Sequence, residues 1–143
     1  MSEGAVSQAF DLAEALSALA IHECDEAAFE PVGLWDSFDY RDLGMAAATG
    51  GKVGAIHLRA RGPCRRDLGF HRHDLDFQMV YILKGWVTYR WQGHAEPITA
   101  HAGASVYSPP GEVHNVIDYS EDMEVIEVTM PADYPTVEIE VAG

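Results

Sequence analysis

The sequence has few cysteines and no long apolar stretch. Its two cysteines, Cys24 and Cys64, are too few for a disulfide framework, which favours a reduced, cytoplasmic setting. No apolar run is long enough to span a bilayer, and the N-terminus lacks the basic region and apolar block of a secretory signal. We therefore expect a cytoplasmic protein that does not insert into a membrane.

Positive charge is also scarce. Nine Lys and Arg residues stand against 23 Asp and Glu residues, which gives a formal net charge of −14. Such a surface repels the phosphate backbone of nucleic acids and anionic membrane leaflets, so we expect neither as a partner. A small anionic ligand is still compatible with this charge, because the field inside one site can oppose the field of the whole protein.

The chain of 143 residues has the usual length of one domain. Apolar residues between 7 and 21 recur at three- and four-residue steps, which predicts an amphipathic helix with Ser7 as a plausible N-cap. From residue 31 onward, short β-prone runs alternate with glycine turns, as is typical of an all-β sandwich or barrel. The predicted strands are 42–48, 53–60, 69–73, 77–83, 86–91, 95–100, 104–108, 113–119, 123–130 and 136–141.

This pattern predicts three segments. Residues 1–35 would form the helix and a lead-in, residues 36–131 a barrel, and residues 132–143 a tail. We expect the tail either to close a sheet edge or to cross to a second subunit.

Two histidines mark the first informative stretch. His71 and His73 are two residues apart, so a strand places both imidazoles on one face and Arg72 on the other. Gln78 would lie on the opposite face of a continuous strand, about 16 Å away. It joins the histidines only if the chain turns at residues 74–76 and runs back.

The second informative stretch runs from Gly103 to Asp118. Its Pro-Pro-Gly sequence at 109–111 predicts a tight turn between two strands. His114 follows early on the outgoing strand. Val116 and Asp118 share the face of His114, so we expect Asp118 to face the same cavity, where it could act as a general base or bind His114 by a hydrogen bond.

Together the two stretches resemble the two motifs of the cupin superfamily. The first motif matches from His71 to Gly85, with Gln78 where glutamate is usual and Arg65 where the family has a glycine. The second motif matches at four positions, with Asp118 where asparagine is usual. The matching positions are Gly103, Pro109, Gly111 and His114.

The resemblance implies a jelly-roll barrel, often dimeric, that holds one divalent metal ion. It also implies that His71, His73, Gln78 and His114 are the metal ligands. Imidazole and amide ligands suit Mn, Fe, Ni or Zn, and the sequence does not choose among them. The alternative is that the histidines are ordinary core or turn residues.

The glutamine bears on the expected chemistry. Four neutral ligands leave the full charge of a divalent ion, which favours binding of an anionic substrate oxygen and disfavours the oxidised form of a redox metal. We therefore expect Lewis-acid chemistry, of the isomerase or lyase type, on a small, polar, anionic metabolite. Small cupins with this His-His-Gln-His set resemble enzymes that act on sugar acids or sugar phosphates, so the resemblance implies a metabolite of that kind. A metal-dependent dioxygenase and a non-catalytic ligand-binding barrel are the alternatives.

Other residues are weaker candidates. His57 and Arg59 share a strand face and could grip a carboxylate or phosphate, or they could lie on the outer face of the barrel. Tyr107 could supply a phenol for proton transfer, although a packed tyrosine is commoner. Cys64 precedes Arg65 and Arg66, which could lower its pKa, but a structural thiol is the more frequent outcome.

Overall fold

The computed structural model describes residues 19–31 and 33–141. The helix predicted for residues 7–21 lies almost entirely outside these described residues, and the described residues 19–21 are not helical. A single 3-10 turn at Glu26–Ala28 follows, where the Asp25 side chain accepts a hydrogen bond from the Ala27 N–H at 2.9 Å. Within the described residues, no helix has the length and hydropathy needed to cross a bilayer.

Ten strands form the main secondary structure of the described chain, which makes the fold all-β as predicted. In chain order they are β1 (Phe38–Asp42), β2 (Gly54–Ala60), β3 (His71–His73), β4 (Phe77–Lys84), β5 (Trp86–Trp91), β6 (Ile98–His101), β7 (Ser105–Tyr107), β8 (His114–Tyr119), β9 (Glu124–Met130) and β10 (Thr136–Glu138). They pair as two antiparallel five-stranded sheets. The strand orders are β1-β2-β9-β4-β7 and β10-β3-β8-β5-β6.

The strand predicted at residues 42–48 is wrong in its position. The strand occupies Phe38–Asp42, and Met45–Ala48 forms one turn of α-helix, α1. Alanine has the highest helix propensity, and a run of three leaves no alternation that a strand could use. Gly44 separates the two elements in a left-handed conformation with φ 85°, and its N–H donates to the Asp42 carboxylate at 2.7 Å.

Gly85 makes the tight connection from β4 to β5 that brings the two sheets together. Its φ of 69° is rare for residues with a side chain, and a Cβ there would overlap the Ser120 hydroxyl. The turn therefore needs glycine for two reasons, the backbone conformation and the close approach of the next loop.

The inward faces of both sheets build a common core. Alternate residues of each strand point inward, and Ile82 of β4 is completely buried. The other buried apolar residues of this cluster are Phe38, Leu58, Val87, Tyr89, Ala100, Tyr119, Met123 and Val125. Side chains do not fill the interior completely. A cavity of about 380 Å³ remains between the sheets.

Candidate metal centre

Strand β3 directs two imidazoles into the cavity. His71 and His73 are buried and Arg72 between them is less so, as the two-residue period of a strand requires. The strand is short because Asp74 turns the chain, and the Asp74 N–H donates to the Pro135 carbonyl at 2.9 Å.

A third imidazole comes from the neighbouring strand. His114 is the first residue of β8 and pairs directly with His71 in the antiparallel ladder, so their side chains point to the same face. One ligand atom from each of His71, His73 and His114 lies within 4.8 Å of the other two. Such a spacing allows three nitrogens to bind a single ion.

Each imidazole is held by its outer nitrogen. His71 Nδ1 donates to the Gly69 carbonyl at 2.8 Å, and His114 Nδ1 donates to the Glu112 carbonyl at 3.0 Å. A carbonyl only accepts, so both rings carry their proton on Nδ1 and keep the Nε2 lone pair free. His73 Nδ1 lies 2.8 Å from the Thr136 hydroxyl. Anchors of this kind fix the tautomer and orientation of metal-binding histidines.

Burial also keeps the three rings neutral. It lowers the pKa of His73 to about 3, with a further contribution from the two neighbouring imidazoles, and lowers the pKa of His114 to about 4. The pKa of His71 is lowered by burial as well. Neutral imidazole is the form that binds metal ions.

Gln78 reaches the same cavity from the opposite sheet. The expected reversal at residues 74–76 occurs, but it carries the chain across the barrel, so β3 and β4 belong to different sheets and do not pair. Gln78 pairs with Thr129 of β9. This crossing lets a residue at an odd spacing line the cavity with the histidines.

A half-buried carboxylate behind Gln78 was not predicted from the sequence. Glu127 of β9 lines the cavity and accepts hydrogen bonds from the Gln78 amide at 2.8 Å and from the Tyr134 hydroxyl at 3.0 Å. Since the Gln78 nitrogen faces Glu127, its carbonyl oxygen is free for another partner. Burial raises the pKa of Glu127, and the two donors oppose that shift. Its signal in the sequence is an acidic residue flanked on both sides by apolar residues in a strand.

The C-terminal strand belongs to the site. Thr136 of β10 pairs directly with His73, so the edge strand of this sheet supplies the hydroxyl beside that ring. Tyr134, just before the strand, approaches His73 edge-on with ring centroids 5.3 Å apart.

Most of the cavity wall is apolar. Aromatic and aliphatic side chains surround the polar groups, and Trp35 packs on His71 with ring centroids 5.1 Å apart. Among the residues that the structure describes, no lysine or arginine lines the cavity. The polar lining residues are His71, His73, Gln78, His114, Glu127, Asp133, Tyr134, Tyr40, Tyr89 and Thr136.

Asp118 does not face the cavity, contrary to the orientation expected from a regular strand. The pairing of β8 with β5 shifts between Val116 and Asp118, because an extra residue, Ile117, forms a β-bulge. The bulge turns Tyr119 into the core and leaves Asp118 exposed. A carboxylate placed there cannot act as a base on a molecule in the cavity.

Tyr107 also points away from the cavity. It lies on the edge strand β7 and is 58% exposed, while Val106 packs against the core. Its ring lies near Phe77, with centroids 6.0 Å apart. The alternation predicted for this strand exists, but its inward residue is Val106, so the proposed proton transfer by Tyr107 has no geometric support.

His57 and Arg59 lie on the outer face of β2, because Ile56 and Leu58 take the cavity face. His57 is nevertheless buried, since Phe29 covers it edge-on at 4.9 Å between ring centroids. Arg59 stacks over Phe29 and pairs with Glu26 at 2.6 Å. The structure therefore supports the outer-face alternative, and the pair cannot grip a substrate in the cavity.

Cys64 shows no activation of its thiol. Burial raises its pKa, helped by nearby Asp118, and the Sγ donates to the Arg66 carbonyl at 3.3 Å. Reactive cysteines have a lowered pKa. The arginines beside Cys64 in the sequence therefore do not produce the nucleophile that their proximity suggested.

The comparisons with known proteins agree with this architecture. A family model described as a cupin domain matches residues 63–129, the stretch that carries all four candidate ligands. No curated protein sequence matches the chain.

Several solved structures share the fold. The polyketide cyclase RemF from Streptomyces resistomycificus is 13% identical with a TM-score of 0.67, covering 86% of this chain and 88% of that one. KdgF from Halomonas sp. is 15% identical with a TM-score of 0.62, covering 78% and 94%. The DMSP lyase DddQ from Ruegeria pomeroyi is 18% identical with a TM-score of 0.57, covering 81% and 59%. At identities this low, the likeness establishes the fold alone.

Proposed function

Because this chain contains a cupin domain, we propose that it is a metal-dependent enzyme that converts a small molecule inside the barrel. The reaction class we propose is Lewis-acid chemistry of the lyase or isomerase type. One observation carries the proposal. Three buried, neutral imidazoles converge on one point, and hydrogen bonds at their outer nitrogens leave the inner nitrogens free.

The proposed ligands are His71, His73, Gln78 and His114, with one divalent ion of Mn, Fe, Ni or Zn. Their donor chemistry fits such an ion, because imidazole nitrogen and amide oxygen both suit these metals. The Gln78 amide nitrogen is engaged with Glu127, which leaves its carbonyl oxygen as the donor. When bound, the ion would polarise a substrate oxygen.

The ligand charge supports Lewis-acid work over oxygen activation. Since the Gln78 amide nitrogen is bound to Glu127, the atom that Gln78 would offer to an ion is a neutral oxygen and not a carboxylate oxygen. An ion without an anionic ligand withdraws electrons more strongly from a bound oxygen and is harder to oxidise. Two of the similar structures are a polyketide cyclase and a DMSP lyase, and the lyase agrees with this choice.

Two side chains beside the imidazoles would orient the substrate. Glu127 and Tyr134 line the cavity and are joined by a hydrogen bond of 3.0 Å. A hydroxyl or enol of the substrate could exchange hydrogen bonds with this pair while another of its oxygens faces the imidazoles. The roles expected for Asp118 and Tyr107 are thus replaced by residues that share the cavity.

The test compares metal-loaded and metal-free protein on a panel of small hydroxycarbonyl compounds, under nitrogen and in air. We expect conversion that requires metal, proceeds equally without oxygen and is lost in His71→Ala. A strict requirement for oxygen would favour the dioxygenase alternative. Equal conversion by metal-free protein would contradict the proposal. A homodimer and a cytoplasmic location remain predictions.

A further inference from the structure

The side chains that line the cavity indicate what kind of molecule fits there, which the candidate metal ligands alone do not. Leu34, Ile56, Leu58, Val80 and Val116 all contribute apolar surface to it. They come from both sheets and from the segment before β1, so the apolar surface surrounds a bound molecule rather than covering one side of it.

The polar groups are concentrated around the imidazoles. Gln78 and Glu127 are hydrogen-bonded to each other, and Tyr134 donates to the same Glu127 oxygen. The strand pairing explains this concentration, because His71 pairs with His114 and Thr136 pairs with His73. One end of a bound molecule therefore meets hydrogen-bonding groups, and the remainder meets hydrocarbon.

The charge of the lining argues against a substrate rich in anionic groups. Within the described part of the chain, the charged side chains of the cavity are carboxylates, Glu127 and Asp133, with no arginine or lysine beside them. The protein as a whole also carries a net charge of −14. A sugar acid would bury several hydroxyls against apolar walls, and each buried hydroxyl without a partner costs binding energy.

We propose that the substrate has an aromatic or alicyclic body of two or three rings, with adjacent oxygen atoms at one end that face the three imidazoles. This inference rests on the proposed function for the role of those oxygens. A volume of about 380 Å³ accommodates such a body, and it lies in the range of small-molecule sites. The polar, anionic metabolite expected from the sequence fits the wall less well.

Leu34 is a position at which a substitution should weaken the expected preference for an apolar substrate over a sugar acid. It lines the cavity and is 58% exposed, so it lies at the mouth, where a substitution should not disturb the core. Leu34→Arg would place a positive charge beside the cavity. Leu83→Arg is the matched control, because Leu83 is 41% exposed on β4 and does not line the cavity.

The experiment is calorimetric titration of zinc-loaded and metal-free protein with three probes. These are ortho-hydroxyacetonaphthone, which has two rings and adjacent oxygens, ortho-hydroxyacetophenone, which has the same oxygens on one ring, and galacturonate. We expect the two-ring ketone to bind at least about tenfold more tightly than either other probe, because the second ring buries additional apolar surface. Leu34→Arg should reduce the ratio of the affinity for the two-ring ketone to the affinity for galacturonate, and Leu83→Arg should leave this ratio unchanged.

Two outcomes separate this inference from the proposed function. If zinc binds but galacturonate binds as tightly as the two-ring ketone, or if Leu34→Arg behaves like Leu83→Arg, the substrate class is wrong and the metal-dependent enzyme stands. If the protein binds no metal, yet metal-free protein still prefers the two-ring ketone, the proposed function fails and the inference about the substrate body stands.

Discussion

We expect Gln78→Glu to lower the stability of this protein strongly for so small a chemical change. It restores the residue that is usual at this position in cupins and changes almost no volume. In this chain, however, the Gln78 amide donates to Glu127 at 2.8 Å. The introduced carboxylate would lose that hydrogen bond and face a second carboxylate inside the cavity.

The magnitude follows from these two effects. A lost hydrogen bond to a charged group costs about 1.5–3 kcal/mol. Two ionised carboxylates at this separation repel by about 6 kcal/mol at an effective dielectric constant of about 20, which the pair relieves by binding a proton. We expect the free energy of unfolding of the metal-free protein to fall by about 2–4 kcal/mol near neutral pH. For a chain of this length that lowers Tm by roughly 10 °C.

The assay is thermal and urea unfolding of the metal-free protein at about pH 8 and about pH 5. The carboxyl pair has a folded pKa above its unfolded value, so its penalty is largest at high pH and shrinks as the pH falls. Gln92→Glu, the same change in an exposed turn, is the control and should alter stability by less than about 0.5 kcal/mol. If Gln78→Glu is as stable as Gln92→Glu at about pH 8, the hydrogen bond to Glu127 does not hold Gln78, and the reasoning fails.

Three further predictions concern other parts of the barrel. Gly85→Ala should destabilise the protein by at least about 1 kcal/mol more than Gly103→Ala, because both positions have positive φ but of the two only Gly85 would place a Cβ in overlap with a neighbour. Urea unfolding of both variants measures the difference, and equal losses of unfolding free energy would contradict the close approach at Gly85. Burial lowers the pKa of His57 below 6.5, so its neutral ring contributes stability that is lost as the pH falls below that value. The unfolding free energy of His57→Gln should therefore fall less steeply with decreasing pH than that of the wild type, and parallel plots of unfolding free energy against pH would refute this. Asp118→Asn should leave metal affinity unchanged in calorimetric titration, since its side chain is exposed outside the cavity, and a clear loss would contradict its placement.

Regular strands were readable from the sequence where their alternation is uninterrupted. His71 and His73 face inward with Arg72 between them because three consecutive residues follow the two-residue period. The sequence alone does not show that His114 pairs with His71, because the register of distant strands depends on the whole barrel. The family resemblance supplied that association.

The predictions that failed depended on local irregularity. Asp118 was placed in the cavity by counting two-residue steps from His114, and the bulge at Ile117 breaks that count. The bulge has no marker residue such as glycine or proline in the sequence. Tyr107 had the expected alternation but the opposite face, since alternation does not state which side is the interior. For the same reason the sequence left both faces open for His57, and the structure selects the outer one.

The residues that the sequence did not reveal act through distant partners. Glu127 is one acidic residue of an ordinary strand until Gln78 and Tyr134 are brought against it. Thr136 matters because β10 pairs with the histidine strand and puts a hydroxyl beside His73. Neither association has a sequence spacing from which it could be inferred.

The most direct test of the central claim is the metal content of the purified protein, measured by elemental analysis together with calorimetric titration of the metal-free form. The wild type should bind one divalent ion per chain, and the double variant His71→Ala, His114→Ala should bind none. The control double variant His94→Ala, His101→Ala alters two exposed histidines and should bind as the wild type does. Equal metal binding by both double variants would contradict the assignment of the three buried imidazoles as a metal centre.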